Sequence, residues 1–167
     1  MNKFVIALCL LFLSIPLFVQ AQNRQHLTEA ELEIVRDAQE LDARTGVFIK
    51  AIDRRFAALN KLAETKDKKD KSDWGALPTG SRTELIWDIA KILDEAMNNL
   101  DSVYGRDEKN ALIPKSLKML SEAAARYQTQ LKPFGETVAI KDERDAVYQA
   151  ARNAEKIVQA QKDFAAQ

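Results

Sequence analysis

Residues 81–105 read SRTELIWDIAKILDEAMNNLDSVYG, and this stretch decides the fold class. Ser81 followed by Glu84 is a capping box, in which each side chain accepts a hydrogen bond from the other residue's main-chain N–H. Gly105 is typical of the residue that follows the end of a helix. Between them, apolar residues recur every three or four positions, as on the buried face of an amphipathic helix: Leu85, Ile89, Ile92, Ala96, Leu100 and Val103. We therefore predict a helix over residues 82–104.

Three further stretches predict helices of the same kind. The first spans residues 28–64 and begins with a second capping box, formed by Thr28 and Glu31. The next begins at Pro114, because proline suits the first turn of a helix, and ends at Pro133. Its predicted inward stripe is Ile113, Leu117, Leu120, Ala124, Tyr127 and Leu131. The last spans about residues 137–165, and its predicted inward stripe is Ile140, Val147, Ala151, Ala154, Val158 and Ala165.

None of these amphipathic helices can bury its apolar stripe alone, so they must pack together. Glycine and proline are scarce, with five and four residues, and strong helix formers dominate the chain. We predict an all-α fold, an up-down antiparallel bundle of four helices. Residues 82–104 carry two basic and five acidic side chains, and residues 114–132 carry four basic and one acidic. This complementary charge predicts that these two helices form a hairpin.

Polar residues interrupt the apolar stripe of the first helix. A continuous helix over residues 28–64 would be about 55 Å long, so we expect a break near residues 40–46, which would give five helical segments. Asp42 is then the expected cap of the second segment. Asp42, Arg44 and Thr45 are also a candidate polar pocket, in which Arg44 would bind an anionic group. A plain helix cap and kink is the alternative interpretation.

The first 21 residues have the order of a secretory signal peptide. Lys3 supplies a positive charge, residues 4–19 are an apolar run broken by proline near its end, and Val19 and Ala21 suit a cleavage site. We predict cleavage after Ala21 and export to the periplasm or the exterior. Sixteen apolar residues would span about 24 Å, less than the roughly 30 Å of a bilayer core. An uncleaved membrane anchor is therefore the lesser alternative.

The predicted domain organisation follows from this processing. Residues 22–27 are expected to be a flexible N-terminal tail, and residues 28–167 a single helical domain. Within that domain, residues 65–80 contain alternating lysine and aspartate without apolar periodicity, and Gly75, Pro78 and Gly80 lie at the end of this stretch. This composition predicts a charged, solvated loop.

The composition excludes several classes of function. The only cysteine, Cys9, lies in the predicted signal peptide, and its early position there argues against a lipoprotein; the mature chain would have no thiol. The only histidine, His26, lies in the predicted tail, so a histidine-based triad or metal site cannot be built. The 25 basic and 25 acidic residues balance, which gives no argument for nucleic acid or an anionic membrane. We predict a protein that is not an enzyme and has no metal or cofactor.

Two tryptophans are candidate contact residues. Trp87 falls roughly 150° around its helix from the apolar stripe, among polar neighbours. Trp74 lies in the loop just before that helix. We predict that Trp74 and Trp87 form one cluster, which is either closed within the chain or half open to a partner.

The leading functional hypothesis is a non-catalytic binding or scaffolding protein of the cell envelope. Its partner would be another envelope protein or a second copy of the chain. One alternative is a chaperone-like holdase, which requires an exposed apolar groove. A second alternative is a helical bundle that binds a small ligand.

Overall fold

A computed structural model describes residues 24–63, 74–138 and 140–166. They form five helices, which confirms the predicted all-α helical bundle: α1 (Glu29–Asp37), α2 (Leu41–Ala63), α3 (Arg82–Tyr104), α4 (Leu112–Glu136) and α5 (Lys141–Ala165). The predicted signal peptide, its cleavage site and most of the predicted charged loop lie outside the described residues. None of the helices formed by these ranges has a segment that is both long and apolar enough to cross a bilayer.

The four long helices alternate in direction along the chain, but their neighbours in space differ from those expected. Ion pairs join Asp42 to Lys115 at 2.6 Å and Asp53 to Arg126 at 2.7 Å, so α2 and α4 run side by side in the same direction. Helix α2 packs against α3 and α4, and α5 packs against the same two helices. The predicted hairpin of α3 and α4 is wrong, because these helices face each other across the bundle diagonal and touch much less.

The core lies where the four long helices meet. Its central side chains have at most 1% of their surface exposed: Ile52, Ile86, Ile89, Ile92, Leu93, Leu120, Ala124, Tyr127 and Ala150. The rings of Phe56 and Tyr127 stack with centroids 5.4 Å apart, and the Tyr127 hydroxyl donates to the Ile49 carbonyl at 2.9 Å. The core therefore joins α2 to α4 directly, as their parallel arrangement requires.

The break in the first helix occurs at residues 38–40, slightly earlier than predicted. Ala38 has an extended conformation, with φ −73° and ψ 91°. The Arg44 guanidinium turns back over the break, and its Nε donates to the Ala38 carbonyl at 2.9 Å. The expected capping role of Asp42 is wrong, because α2 already begins at Leu41 and Asp42 lies in its first turn.

Pro133 does not end the fourth helix, which continues to Glu136. The extra turn is stabilised by side chains that bind its carbonyls. Thr137 Oγ1 donates to the Pro133 carbonyl at 3.0 Å, and Arg82 of α3 donates to the Phe134 carbonyl at 3.3 Å. Two carbonyls of the turn that follows the proline are therefore satisfied by side chains.

The buried face of α5 also differs from the predicted stripe. Ile140 is 54% exposed and precedes the helix. Glu143 and Asn153 lie on the buried face instead, because each has a partner: Arg82 Nε is 2.6 Å from Glu143 Oε1, and Asn153 Nδ2 donates to the Ala90 carbonyl at 2.9 Å. Alanines occupy most of the remaining face: Ala146, Ala150 and Ala154. Because this face carries two polar residues and small alanines, the apolar periodicity of the sequence did not predict it.

Candidate functional site

An apolar cavity opens at one end of the bundle, where the last turns of α3 and α5 meet the first turns of α4. Its volume is about 290 Å³. Six apolar side chains line it: Met97, Leu100, Ile113, Leu117, Ala160 and Phe164. We call this cavity the end pocket. Leu100, Ile113 and Leu117 are at most 5% exposed, so the floor of the pocket belongs to the hydrophobic core.

The remaining lining residues of the end pocket are polar and acidic. Asp101 of α3, Asp163 of α5 and Tyr104 surround the apolar floor. Asp163 accepts a hydrogen bond from Gln159 Nε2 at 2.7 Å. In the part of the chain that the structure describes, neither carboxylate forms an ion pair, and no basic side chain lines the cavity. The end pocket thus combines an apolar interior with two carboxylates that lack a counterion.

Sequence reasoning did not find the end pocket, although it placed part of the floor correctly. Leu100 and Leu117 were predicted to point inward, and both are buried. The cavity lies where α3, α4 and α5 meet, and periodicity within one helix cannot show how different helices meet. Phe164 closes one side, but it fell outside the predicted inward stripe of the last helix.

The three residues of the predicted polar pocket, Asp42, Arg44 and Thr45, have different surroundings. Arg44 lines a cavity of about 320 Å³ between the α1–α2 break and the α3–α4 connection, which we call the side pocket. Thr45 is 2% exposed, and its hydroxyl donates to the Leu41 carbonyl at 2.8 Å. Asp42 pairs with Lys115, and this hydrogen-bonded ammonium lowers the pKa of the carboxyl. Arg44 is thus the member of the predicted set that faces a cavity.

The two tryptophans are both partly buried and packed against the core. The Trp74 ring contacts cations of α2, with Lys50 Nζ at 4.3 Å and Arg54 Cζ at 5.7 Å from its centroid. Trp87 lies on α3 and is half-buried against the core. A joint cluster of Trp74 and Trp87 stays a prediction.

A buried ionic cluster joins α1 to α2, and sequence reasoning missed it. Glu31 is fully buried, and its Oε1 accepts hydrogen bonds from Arg54 Nε at 3.0 Å and Arg55 Nη1 at 2.6 Å. Arg54 also donates to the carbonyls of Trp74 and Ala76, so it holds the chain that enters α3. The predicted capping box is present as well, because Thr28 N donates to Glu31 Oε2 at 2.9 Å. One glutamate therefore caps a helix and forms ion pairs with two buried guanidinium groups.

The segment before α1, residues 24–27, contacts the helices, while the flexibility expected of the N-terminal tail stays a prediction. Leu27 is 3% exposed and packs in the core. Arg24 Nη2 donates to Asp88 Oδ2 and to the Thr79 carbonyl, both at 2.8 Å. His26 Nε2 lies 2.6 Å from Glu95 Oε2. We call residues 24–27 the N-terminal strap, because they bind α2 and α3 through both side chains and main chain.

The strap requires a glycine at position 80. A Cβ on Gly80 would lie 2.8 Å from Arg24 Nη2, and its φ of 156° is one that other residues rarely adopt. The Arg24 guanidinium therefore lies over Gly80, where no side chain blocks it, and reaches Asp88. Burial raises the pKa of Asp88 to about 6, and the charges of Arg24, Arg55 and His26 oppose this rise only in part.

The ionic cluster has the character of a structural joint. Its guanidinium groups already bind a carboxylate or main-chain carbonyls. Residues 24–63, 74–138 and 140–166 contain no group of three or more histidine, cysteine or carboxylate side chains able to hold a metal ion. We therefore take the end pocket as the candidate functional site.

Comparisons of this chain with protein families, with characterised proteins and with solved structures find no match.

Proposed function

We propose that this chain is a non-catalytic binding protein of the periplasm or the exterior, whose ligand is a small amine with an apolar body. The observation that supports this proposal is the end pocket, with its apolar floor and the carboxylates Asp101 and Asp163, neither of which forms an ion pair with a described residue. The apolar body of the ligand would be removed from water against Leu100 and Leu117. Its ammonium group would lie near both carboxylates, where opposite charge is favourable.

The size of the end pocket supports a small ligand. Its volume of about 290 Å³ lies at the lower limit of roughly 300–1,000 Å³ for small-molecule sites. Among the described residues, the large apolar side chains with substantial exposure are Tyr104, Ile140 and Tyr148. A chaperone-like holdase would need a wide apolar groove, whereas Tyr104 belongs to the end pocket and Ile140 and Tyr148 lie near the start of α5. A pocket-binding protein therefore fits this surface better than a holdase does.

The binding proposal predicts a clear order among related probes. We expect 3-methylbutylamine to bind the mature protein with a Kd in the millimolar range or better, and 3-methylbutanol, which lacks the charge, to bind about fivefold more weakly. Titration followed by methyl NMR should show shifts at Leu100, Leu117 and Ala160. Replacement of Ala160 with Phe fills the cavity and should weaken amine binding about tenfold or more.

The charge contribution can be separated from the packing contribution. We expect Asp163→Asn to weaken binding of the amine but not of the alcohol. Asp145→Asn is the matched control, because it removes an exposed carboxylate of the same helix roughly 27 Å away. An amine that shifts no end-pocket resonance, or that binds Ala160→Phe as well as the original protein, would contradict the proposal.

A further inference from the structure

The side pocket brings four charged side chains to one cavity of about 320 Å³. Glu40 and Arg44 approach it from the α1–α2 break, and Arg106 and Asp107 from the α3–α4 connection. The cavity is separate from the end pocket, which lies on the other side of the same connection and shares none of its lining residues.

The two arginines are held in place by main-chain carbonyls. Arg44 Nε donates to the Ala38 carbonyl at 2.9 Å, and Arg106 Nε donates to the Ser102 carbonyl at 3.0 Å. These bonds orient each guanidinium and leave its terminal Nη groups available. Within the described ranges neither arginine forms an ion pair. Planar guanidinium groups of this kind bind carboxylates through paired hydrogen bonds.

The two carboxylates of the side pocket are also without a charged partner. Asp107 Oδ1 accepts a hydrogen bond from Lys109 N at 3.2 Å, which orients the side chain within the connection. Neither Glu40 nor Asp107 forms an ion pair with any residue that the structure describes. The side pocket therefore contains two positive and two negative side chains, and these do not form ion pairs with one another.

From this juxtaposition of Arg44, Arg106, Glu40 and Asp107 around one cavity, we propose that the side pocket binds a small zwitterion with the chemistry of a free α-amino acid. The guanidinium groups bind the ligand carboxylate, and the acidic side chains bind its ammonium. A simple anion would meet two carboxylates, and a simple cation would meet two guanidinium groups, so a ligand with both charges fits best. Val103 and Leu112 are half-buried in the lining and contact an apolar ligand side chain.

The test compares leucine with analogues that each lack one charge. L-leucine, 4-methylpentanoate and 3-methylbutylamine share the apolar group and are titrated separately into the mature protein. We expect leucine to shift the methyl resonances of Val103 and Leu112 with a Kd of about 1 mM or lower, and both analogues to bind this site at least tenfold more weakly. Equal affinity of all three, or no shift at Val103 and Leu112 with about 10 mM leucine, overturns the proposal.

Variants separate the side pocket from general charge effects. Arg106→Ala removes one exposed guanidinium and should weaken leucine binding about tenfold. Arg152→Ala removes an exposed arginine of α5 and should leave binding unchanged; equal loss in both variants overturns the proposal. The amine probe serves a second purpose, because its shifts at Leu117 and Ala160 report the end pocket. Failure at one site is thus distinguishable from failure at the other.

Discussion

Replacement of Glu31 with glutamine is expected to lower the free energy of unfolding by about 3–5 kcal/mol, because it leaves two buried guanidinium groups without their carboxylate. Glu31 is fully buried, and Arg54 and Arg55 are 6% and 1% exposed. Both guanidinium groups donate to the same carboxylate oxygen, Oε1. Glutamine keeps the shape and an oxygen acceptor for the capping box but removes the charge.

Urea unfolding of the variant, followed by circular dichroism, measures this effect. Glu33→Gln is the matched control, because Glu33 lies on the same helix, pairs with Arg36 and has 65% of its side chain exposed. An exposed pair of this kind contributes about 0–1 kcal/mol. A loss below about 1 kcal/mol in Glu31→Gln would show that the ionic cluster does not anchor α1 to α2.

The same carboxylate gives the protein a defined sensitivity to acid. Burial raises the pKa of Glu31, but hydrogen bonds from Arg55, Thr28 N and Arg54 outweigh it, so the pKa lies below its ordinary value of 4.5. The unfolded chain therefore binds this proton more readily than the folded one. The stabilisation from Glu31 is present above about pH 4.5 and is lost as the pH falls through the folded-state pKa.

Replacement of Asp88 with asparagine is expected to act in the opposite direction and to stabilise the protein at pH 7 by about 1–3 kcal/mol. Burial raises the pKa of Asp88 from 3.8 to about 6, and this shift corresponds to about 3 kcal/mol against the charged form. Asparagine is neutral at every pH and keeps an oxygen that accepts from Arg24. Arg24 retains the Thr79 carbonyl at 2.8 Å and Glu84 at 3.8 Å, which reduces the cost of the lost charge.

The pH dependence of unfolding tests this second prediction. Because the folded-state pKa of Asp88 is raised, its contribution to stability is fully present below about pH 3.8 and is lost as the pH rises through about 6. Asp88→Asn should remove this fall in the free energy of unfolding between pH 4 and pH 7. Asp94→Asn, on the exposed side of the same helix, should leave it unchanged. Destabilisation by Asp88→Asn at pH 7 would mean that the pairing with Arg24 outweighs the cost of burial.

Local signals predicted the ends of several helices correctly. Both capping boxes form, at Thr28 with Glu31 and at Ser81 with Glu84. The inward residues predicted for α3 and α4, such as Leu85 and Leu120, are buried. These features depend on hydrogen bonds and periodicity within a few residues, so the amino-acid order is sufficient to define them.

The candidate sites depend on contacts between distant parts of the chain. Glu31 was recognised as a capping residue, but its role in the ionic cluster requires Arg54 and Arg55, which are 23 and 24 residues away. Arg44 was singled out as a pocket residue, whereas its counterpart Arg106 could not be, since it reaches the same cavity from the α3–α4 connection.

The order of helices around the bundle was likewise settled by long-range packing. Charge complementarity favoured a hairpin of α3 and α4, but Asn153 and the alanine face of α5 allow α5 to lie against α3, and Tyr127 joins α4 to α2. Capping and amphipathic periodicity therefore define which segments are helical, because each involves only neighbours along the chain. Which helices touch, and where cavities remain between them, depends on side-chain shape and on the partners available to buried polar groups. Those properties exist only once all four long helices pack together.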